Sequence, residues 1–155
     1  QDTIILIMVV NVTAALGAFL CGHLQDRIGS KWSIAITLLI WSLAIICAYL
    51  AVSEMLFWIA ANLIGIALGG AQSAGRALVG QFTPSGRQGE FFGLWGLATK
   101  LSAIIGPLTY GGMIYAFAGD HRIALLSTLV FFILGLVFLA TVDEERGRET
   151  ARISY

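Results

Sequence analysis

The sequence Gly22-His23-Leu24-Gln25-Asp26-Arg27-Ile28-Gly29-Ser30-Lys31 is a polar hinge between two long apolar runs, Thr3–Gly22 and Trp32–Val52. The hinge contains one carboxylate, two cationic side chains and two glycines, whereas the flanking runs contain no charged residue. Each run has roughly 20 residues, and at about 1.5 Å rise per residue a helix of this length covers about 30 Å of hydrocarbon. The pattern therefore predicts a polar connection between two membrane-spanning helices.

The composition of the whole chain predicts a membrane protein. Of its 155 residues, 58% are hydrophobic and 12% are charged, and the mean hydropathy is +0.88. These values lie outside the range of a soluble domain of this length. The formal net charge is zero, so there is no electrostatic case for binding nucleic acid. The lipid bilayer is the partner that the composition indicates.

Five apolar spans follow one another along the chain. Lipid-embedded backbone must satisfy its hydrogen bonds within helices or closed barrels, and the alternating pattern of barrel strands does not occur, so we predict an all-α membrane protein. The spans and their connections occupy residues 1–142, and residues 143–155 form a charged tail that we expect to be solvated. The predicted spans are Thr3–Gly22, Trp32–Val52, Met55–Gly80, Phe91–Ala118 and Ile123–Val142.

The distribution of cations predicts the orientation in the membrane. Arg122 lies at one end of the predicted spans, whereas seven other cationic side chains lie at the opposite end. Because cytoplasmic loops are enriched in Lys and Arg, we expect the hinge, the loop at Pro84 and the C-terminus to be cytoplasmic. The cations on that side are Arg27, Lys31, Arg76, Arg87, Arg146, Arg148 and Arg152.

The spacing G-x-L-x-D-R-x-G-x-K in the hinge resembles the cytoplasmic loop signature of the major facilitator superfamily of secondary transporters. In that superfamily the signature recurs between the second and third helix of each six-helix half. Gln25 and Ser30 depart from the usual pattern, which the resemblance associates with the C-terminal half. The resemblance implies a gating role for the matching positions Gly22, Asp26, Arg27, Gly29 and Lys31.

Motifs in the second half of the chain resemble the vacuole effluxer family, a branch of that superfamily with yeast vacuolar and many bacterial members. They are Gly69-Gly70-Ala71-Gln72-Ser73, Arg76, Pro84, Gly86-Arg87, Glu90-Phe91-Phe92-Gly93-Leu94, Lys100, Gly106-Pro107-Leu108 and the ending Val142-Asp143-Glu144-Glu145-Arg146-Gly147-Arg148.

This second resemblance implies that the spans are helices 8 to 12 of a 12-helix transporter, so that residues 1–142 form a partial C-terminal transmembrane half. Its partner would be the N-terminal half of the same transporter, and we expect the chain, which begins at Gln1 without methionine, to be a piece of a longer protein. The family resemblance implies export of amino acids from the vacuole in yeast members and leaves the substrate of bacterial members open. The location is then the vacuolar membrane if fungal, or the cell inner membrane if bacterial.

Lys100 is the outstanding polar residue of the predicted spans. It lies about nine residues into the fourth span, where an ammonium costs at least about 2.5 kcal/mol. Three interpretations of Lys100 are open: its side chain snorkels to the membrane interface, it forms a hydrogen bond between helices, or it lines the substrate cavity. Asn11 and Asn62 have two possible roles: each forms a hydrogen bond that holds two helices together, or each lines the cavity.

A charged layer is predicted at the cytoplasmic ends of the helices. In the superfamily's arrangement Asp26 would face Arg76, and contacts of this kind can form in one conformation and break in the other. A solvated loop that only obeys the positive-inside rule is the alternative. Gln72, Arg87 and Glu90 complete the residues that we assign to gating.

Small residues predict where helices approach one another. Gly65 and Gly69 lie four residues apart on one face of the third span, which allows close packing with another helix. In the fourth span, we assign Gly106 and Pro107 to helix packing or to a bend. A bend is expected because proline lacks the backbone N–H that would close the preceding turn.

No motif typical of an enzyme, a metal centre or a cofactor site occurs, and no phosphate-binding loop indicates ATP-driven transport. We therefore predict secondary transport by alternating access of a small-molecule substrate, with a coupling proton as a further candidate partner. A non-transporting membrane scaffold or assembly subunit, and the N-terminal half of a different facilitator, are the alternative interpretations.

Overall fold

The computed structural model describes residues 2–153, which form six helices and, within that range, no strand. Five of them, α1 to α5, have the length and apolarity to cross a membrane, as the all-α membrane prediction requires. The helices are α1 (Asp2–Ile28), α2 (Ser30–Tyr49), α3 (Glu54–Phe82), α4 (Gln88–Ala116), α5 (His121–Thr141) and α6 (Glu144–Ile153).

The polar hinge is mostly helical, which corrects the prediction of a ten-residue connection. Helix α1 continues to Ile28, and Gly29 alone separates it from α2. The N–H of Gly29 donates to the carbonyl oxygen of Gln25 at 2.9 Å, and its φ of +87° turns the chain in a region that favours glycine. With 27 residues, α1 is about 40 Å long and exceeds the hydrocarbon thickness, so its charged end can extend beyond the lipid without breaking the helix.

Helix α3 is the centre of the fold, and α1 and α2 pack against it through small residues. A Cβ added to Gly65 would lie 2.7 Å from the carbonyl oxygen of Val10, and one added to Gly69 would lie 2.7 Å from the carbonyl carbon of Ala14. On the α2 side, a Cβ added to Gly70 would lie 2.7 Å from a methyl carbon of Thr37. Close backbone approach of this kind holds membrane helices together where lipid removes the hydrophobic driving force.

Helices α4 and α5 form the outer part of the bundle. Helix α5 packs on α2, where the rings of Trp41 and Phe132 stack with centroids 5.4 Å apart. Helix α4 contacts α5 and α3 but buries none of its residues, and a Cβ added to Gly106 would meet no atom within 4 Å. Gly106 therefore makes no close helix contact in this chain, and α4 continues through Pro107 without a break.

The C-terminal segment, predicted as a charged tail, forms a helix that packs against α3 and leaves most of its side chains exposed or half-buried. Asp143 caps α6 by accepting a hydrogen bond from the N–H of Arg146 at 3.0 Å. Ala151 is buried, and Gly147 lies so close to the ring of Phe82 that an added Cβ would lie 2.5 Å from a ring carbon. We call the side of the bundle that carries Gly29, the Thr83–Arg87 loop and α6 the hinge side.

Candidate functional site

The N-terminus of α2 is capped by a carboxylate from the other end of the sequence. Glu144 accepts hydrogen bonds from the N–H groups of Ser30 and Lys31, both at 3.0 Å. The first N–H groups of a helix lack partners within the helix, and the helix dipole favours an anion at this position. Gly29 admits the carboxylate, since a Cβ there would lie 3.0 Å from Oε2 of Glu144.

Lys31 joins the start of α2 to the end of α5. Its ammonium donates to the carbonyl oxygens of Ala140 at 3.0 Å and Val142 at 2.5 Å. These carbonyls stand where α5 ends and where a cation is favoured by the helix dipole. The lysine of the hinge motif thus acts as a C-terminal cap.

Gln81 and Arg148 extend the contacts to α3 and α6. The side-chain oxygen of Gln81 accepts from the hydroxyl of Ser30 at 3.1 Å and from Nε and Nη2 of Arg148 at 3.2 and 3.0 Å. Arg148 also forms an ion pair with Glu144. We call Ser30, Lys31, Gln81, Glu144 and Arg148 the hinge-side cluster, and it links the ends of α2, α3, α5 and α6.

The carboxyl of Glu144 is held in its charged form. Burial raises the pKa of this carboxyl. The hydrogen bonds from the N–H groups of Lys31 and Ser30, together with the charge and hydrogen bond of Arg148, lower the pKa by more than burial raises it, so the pKa lies below the usual glutamate value. The side chain is 14% exposed, and the low dielectric of its surroundings strengthens these contacts. Glu144 is therefore an ionised cap at neutral pH.

The remaining gating candidates lie at the surface of the hinge side. Arg87 and Glu90 form an ion pair at 2.6 Å, with 58% and 62% of their side chains exposed, so the pair contributes little stability. Asp26 and Arg27 are exposed at the end of α1. Gly22, one turn earlier, lies beside Ser73 of α3, whose hydroxyl would be 3.8 Å from an added Cβ.

The expected ion pair between Asp26 and Arg76 is absent from this conformation, in which the ion pairs of residues 2–153 join other partners. The guanidinium of Arg76 lies over the ring of Trp95 on α4, with its central carbon 5.4 Å from the ring centroid. Arg76 therefore contacts α4 in this conformation and does not pair with Asp26.

A polar groove lies between α1 and α3 on the hinge side. We call it the α1–α3 groove; its volume is about 530 Å³, and it is lined by Ala18, Gly69, Gln72, Ser73, Arg76 and Ala77. Gln72, which we had assigned to a gate, is exposed to this groove together with Arg76. The groove contains a guanidinium, an amide and a hydroxyl, and none of its lining residues is acidic.

Lys100 is exposed near the middle of α4. It is the thirteenth of 29 residues, about 18 Å along the axis from the hinge-side end of the helix. Its ammonium makes no hydrogen bond or ion pair with any residue in the described range 2–153. Lys100 therefore does not form the hydrogen bond to another helix of this chain that was one of its three interpretations.

Asn11 and Asn62 bond within their own helices. The amide of Asn11 donates to the carbonyl oxygen of Ile7 at 2.8 Å, and that of Asn62 donates to Trp58 at 2.7 Å. Asn11 is exposed and Asn62 is half-buried. The structure does not show the predicted hydrogen bonds from these two amides to another helix.

The sequence analysis missed Gln81, Glu144 and Arg148 as members of a site. Glu144 and Arg148 are four residues apart, a spacing that indicates a helical ion pair. Applied to the tail, that signal predicts a short amphipathic helix. Nothing in the spacing indicates that Glu144 reaches Ser30, which lies 114 positions away.

These features define the class of protein: a multi-pass helical membrane domain with polar groups on its hinge side and on one of its long apolar helices. The chain matches the family described as "Vacuole effluxer Atg22 like" over residues 1–152, and it belongs to that family.

Relatives of the chain include membrane transporters from bacteria and proteins from yeasts. It is 28% identical to the uncharacterized MFS-type transporter YxiO of Bacillus subtilis over 152 residues, which are 98% of this chain and 35% of YxiO. It is 33% identical to autophagy-related protein 22 of Kluyveromyces lactis over 57% of this chain and 18% of that protein. The niacin transporter NiaP of Acinetobacter baylyi is 38% identical over 59% of this chain and 22% of NiaP.

The chain therefore spans about a third or less of the length of these relatives. No solved structure matches it. The family and the relatives support membrane transport as the general function.

Proposed function

We propose that the chain is part of a secondary transporter that works by alternating access and exports amino acids or similar small polar metabolites. The observation that carries the proposal is the position of Lys100, an ammonium without a partner in the described chain, about 18 Å from the end of α4. Charged groups at this depth are costly in lipid and are typical of substrate or ion pathways.

The exposed face of α4 is the surface on which the rest of the transporter would close the cavity. Substrate sites in secondary transporters lie near the bilayer midplane between repeats, where Lys100 would meet the N-terminal half. An ammonium in such a cavity attracts carboxylates, which supports amino acids as the substrate class. The description of the family as vacuole effluxers supports efflux as the direction of transport. The name of the niacin transporter supports a small organic molecule as the substrate.

The hinge-side cluster is the structural base of the proposed gate. It holds the ends of α2, α5 and α6 together through Lys31 and Glu144, so these ends would move as one body. The gating residues outside the cluster, Asp26, Arg76 and Gln72, are free to change partners between conformations. In this proposal the hinge side and the C-terminus face the cytoplasm.

The test uses the full-length transporter that contains this chain, reconstituted in sealed vesicles loaded with a mixture of the twenty amino acids. Lys100→Met keeps the length of the side chain and removes the charge, so we expect it to abolish efflux while membrane insertion and abundance stay normal. Lys100→Arg keeps the charge, so we expect it to retain part of the activity. Efflux is measured by mass spectrometry with and without a pH gradient, which tests the coupling proton.

Arg122→Gln at the opposite end of the bundle is the matched control, because it removes an exposed cation that lies outside the cavity. We expect this variant to transport at the wild-type rate. Wild-type efflux by Lys100→Met with unchanged pH dependence would contradict the assignment of Lys100. The absence of efflux by the wild-type protein for every amino acid would contradict the substrate class.

A further inference from the structure

We infer that the α1–α3 groove binds the carboxylate of a small organic ligand and is a subsite on the hinge side of Lys100. This inference rests on the proposed transport function and adds a second place where the substrate is held. It assigns ligand binding to Arg76, Gln72 and Ser73, two of which the sequence had indicated only as gating residues.

The charge of Arg76 is not compensated within the described chain. The groove contains no acidic side chain, and the ion pairs of residues 2–153 involve Arg87 and Arg148 instead. A guanidinium carries five N–H donors in a planar fork that fits the two oxygens of a carboxylate. An anion is therefore the ligand that the groove's electrostatics favour.

Two further donors stand on the same face of α3 as Arg76. Gln72 precedes Arg76 by four residues and Ser73 precedes it by three, spacings that place side chains next to each other on a helix. All three line the groove. An amide and a hydroxyl beside a guanidinium can hydrogen-bond the oxygens of a carboxylate that the guanidinium leaves unsatisfied.

Trp95 orients the guanidinium. The central carbon of Arg76 lies 5.4 Å from the centre of the indole ring, within the range of a cation–π contact. A cation–π contact uses none of the N–H donors in a hydrogen bond, so these donors can still bind a ligand. The contact restricts the positions open to the guanidinium, and a group that is already positioned loses less entropy when a ligand binds.

The depth of the groove favours a small ligand over a lipid headgroup. Measured from Phe82, Arg76 lies about 9 Å and Gly69 about 20 Å along α3, so the inner end reaches a depth similar to that of Lys100. A phosphate of a lipid headgroup would reach Arg76 at the outer end but not Gln72, which is about 15 Å from the helix end. The groove is open to its surroundings, and its volume of about 530 Å³ leaves room for a small organic ligand.

The experiment measures thermal unfolding of the full-length transporter, purified in detergent without anionic lipid, against a panel of carboxylates. The panel contains the twenty amino acids and nicotinate, each beside its carboxamide, which keeps the shape and removes the charge. We expect at least one carboxylate to raise the unfolding temperature and its carboxamide not to do so. Arg76→Gln should weaken the apparent affinity at least about tenfold, because it removes one partner of a charged hydrogen-bonded pair.

Arg122→Gln is again the matched control, and we expect it to bind as the wild type does. Gln72→Leu is the second variant if Arg76→Gln does not fold, and we expect it to weaken binding several-fold through the loss of the amide donor. Three results would overturn the inference. The first is that no carboxylate stabilises the wild-type protein, and the second is that carboxamides bind as well as carboxylates. The third is that both groove variants bind as tightly as the wild type. Stabilisation by phosphatidylglycerol alone would assign the groove to lipid headgroups and would overturn it as well.

The two proposals fail in different ways. A transporter that exports amino acids while both groove variants bind the panel normally would overturn only the groove assignment. A protein that exports no amino acid would overturn the proposed function, and the binding data would still decide the groove. If Arg76→Gln loses stability without ligand and binds carboxylates normally, Arg76 belongs to an ion pair with the rest of the transporter, and the inference is wrong.

Discussion

At the scale of single residues, Glu144 shows how a charged group gains a structural role. Its carboxylate accepts two N–H groups at the start of α2 and pairs with Arg148, so each of its two oxygens has at least one described donor. Hydrogen bonds to charged groups contribute about 1.5–3 kcal/mol when buried, whereas the exposed pair of Arg87 and Glu90 contributes about 1 kcal/mol or less. Burial and the number of donors distinguish the two carboxylates.

We expect Glu144→Gln to lower the free energy of unfolding by about 1–2 kcal/mol, because the amide cannot accept with both side-chain atoms and carries no charge for the helix dipole. The measurement is the unfolding temperature of the full-length protein in detergent. Glu149→Gln, an exposed residue of the same helix, is the control and should leave that temperature unchanged. Equal temperatures for wild type and Glu144→Gln would show that the cap contributes no stability.

The stabilisation by Glu144 has a predictable dependence on pH. Its folded-state pKa is lowered, so its contribution is fully present above the usual glutamate pKa of about 4.3 and is lost as pH falls through the lower folded value. We expect the difference in unfolding temperature between wild type and Glu144→Gln to be constant from about pH 5 to pH 8 and to shrink below about pH 4. A difference that changes between pH 6 and pH 8 would contradict this assignment.

At the scale of helices, small residues decide which elements pack together. Gly65, Gly69 and Gly70 bring α3 within backbone contact of α1 and α2, whereas Gly93 and Gly96 of α4 have no atom within 4 Å of an added Cβ. The same residue type therefore marks a packed face on α3 and an unoccupied face on α4. The rotation of each helix, rather than its glycine content, determines the outcome.

We expect Gly69→Ala to lower the unfolding temperature of the full-length protein, because the added Cβ would lie 2.7 Å from the backbone of Ala14 and α1 would have to move away. Gly75→Ala on the same helix is the control. Its Cβ would meet the indole nitrogen of Trp95 at an ordinary distance of 3.6 Å, so the change should be small. Similar unfolding temperatures for both variants would mean that the α1–α3 contact tolerates separation.

At the scale of the whole molecule, charge and helix length predict how the bundle sits in the membrane. The hinge-side cluster, the Thr83–Arg87 loop and α6 lie on one side, and the short connections at Ser53 and Asp120 lie on the other. Ser53 and Asp120 each cap the following helix, with Ser53 accepting from Leu56 at 3.3 Å and Asp120 from Arg122 at 2.8 Å. Both connections are thus short, and each ends in a side chain that caps the following helix.

We expect a cysteine at Val52 to react with a membrane-impermeant thiol reagent from outside intact cells, and a cysteine at Gln88 to react only after permeabilisation. Both positions are exposed, and Val52 is 87% exposed. The background is the full-length protein without Cys21 and Cys47, which are free thiols in this chain. In a vacuolar protein the same test uses sealed vacuoles, and the reversed labelling pattern would contradict the orientation and the helix numbering together.

The sequence by itself determined the features that depend on local composition. Hydropathy located the five helices that are long and apolar enough to cross a membrane, because each such helix satisfies its own backbone and needs only a sufficient length of apolar side chains. Motif residues indicated the family that the comparison then established. The charged hinge was also recognisable, although its helical extension to Ile28 was not, since polar residues are compatible with both helix and loop.

Only the tertiary structure decided which polar groups meet. Glu144 caps a helix that begins 114 positions earlier, Arg76 makes a cation–π contact with Trp95 instead of pairing with Asp26, and Lys100 lies on a helix that buries no residue. These outcomes depend on the rotation of each helix about its axis and on the close approach that glycines allow. A rotation of about 100° separates neighbouring residues on a helix, so a small change in packing moves a side chain to a different partner, and local composition does not encode that choice.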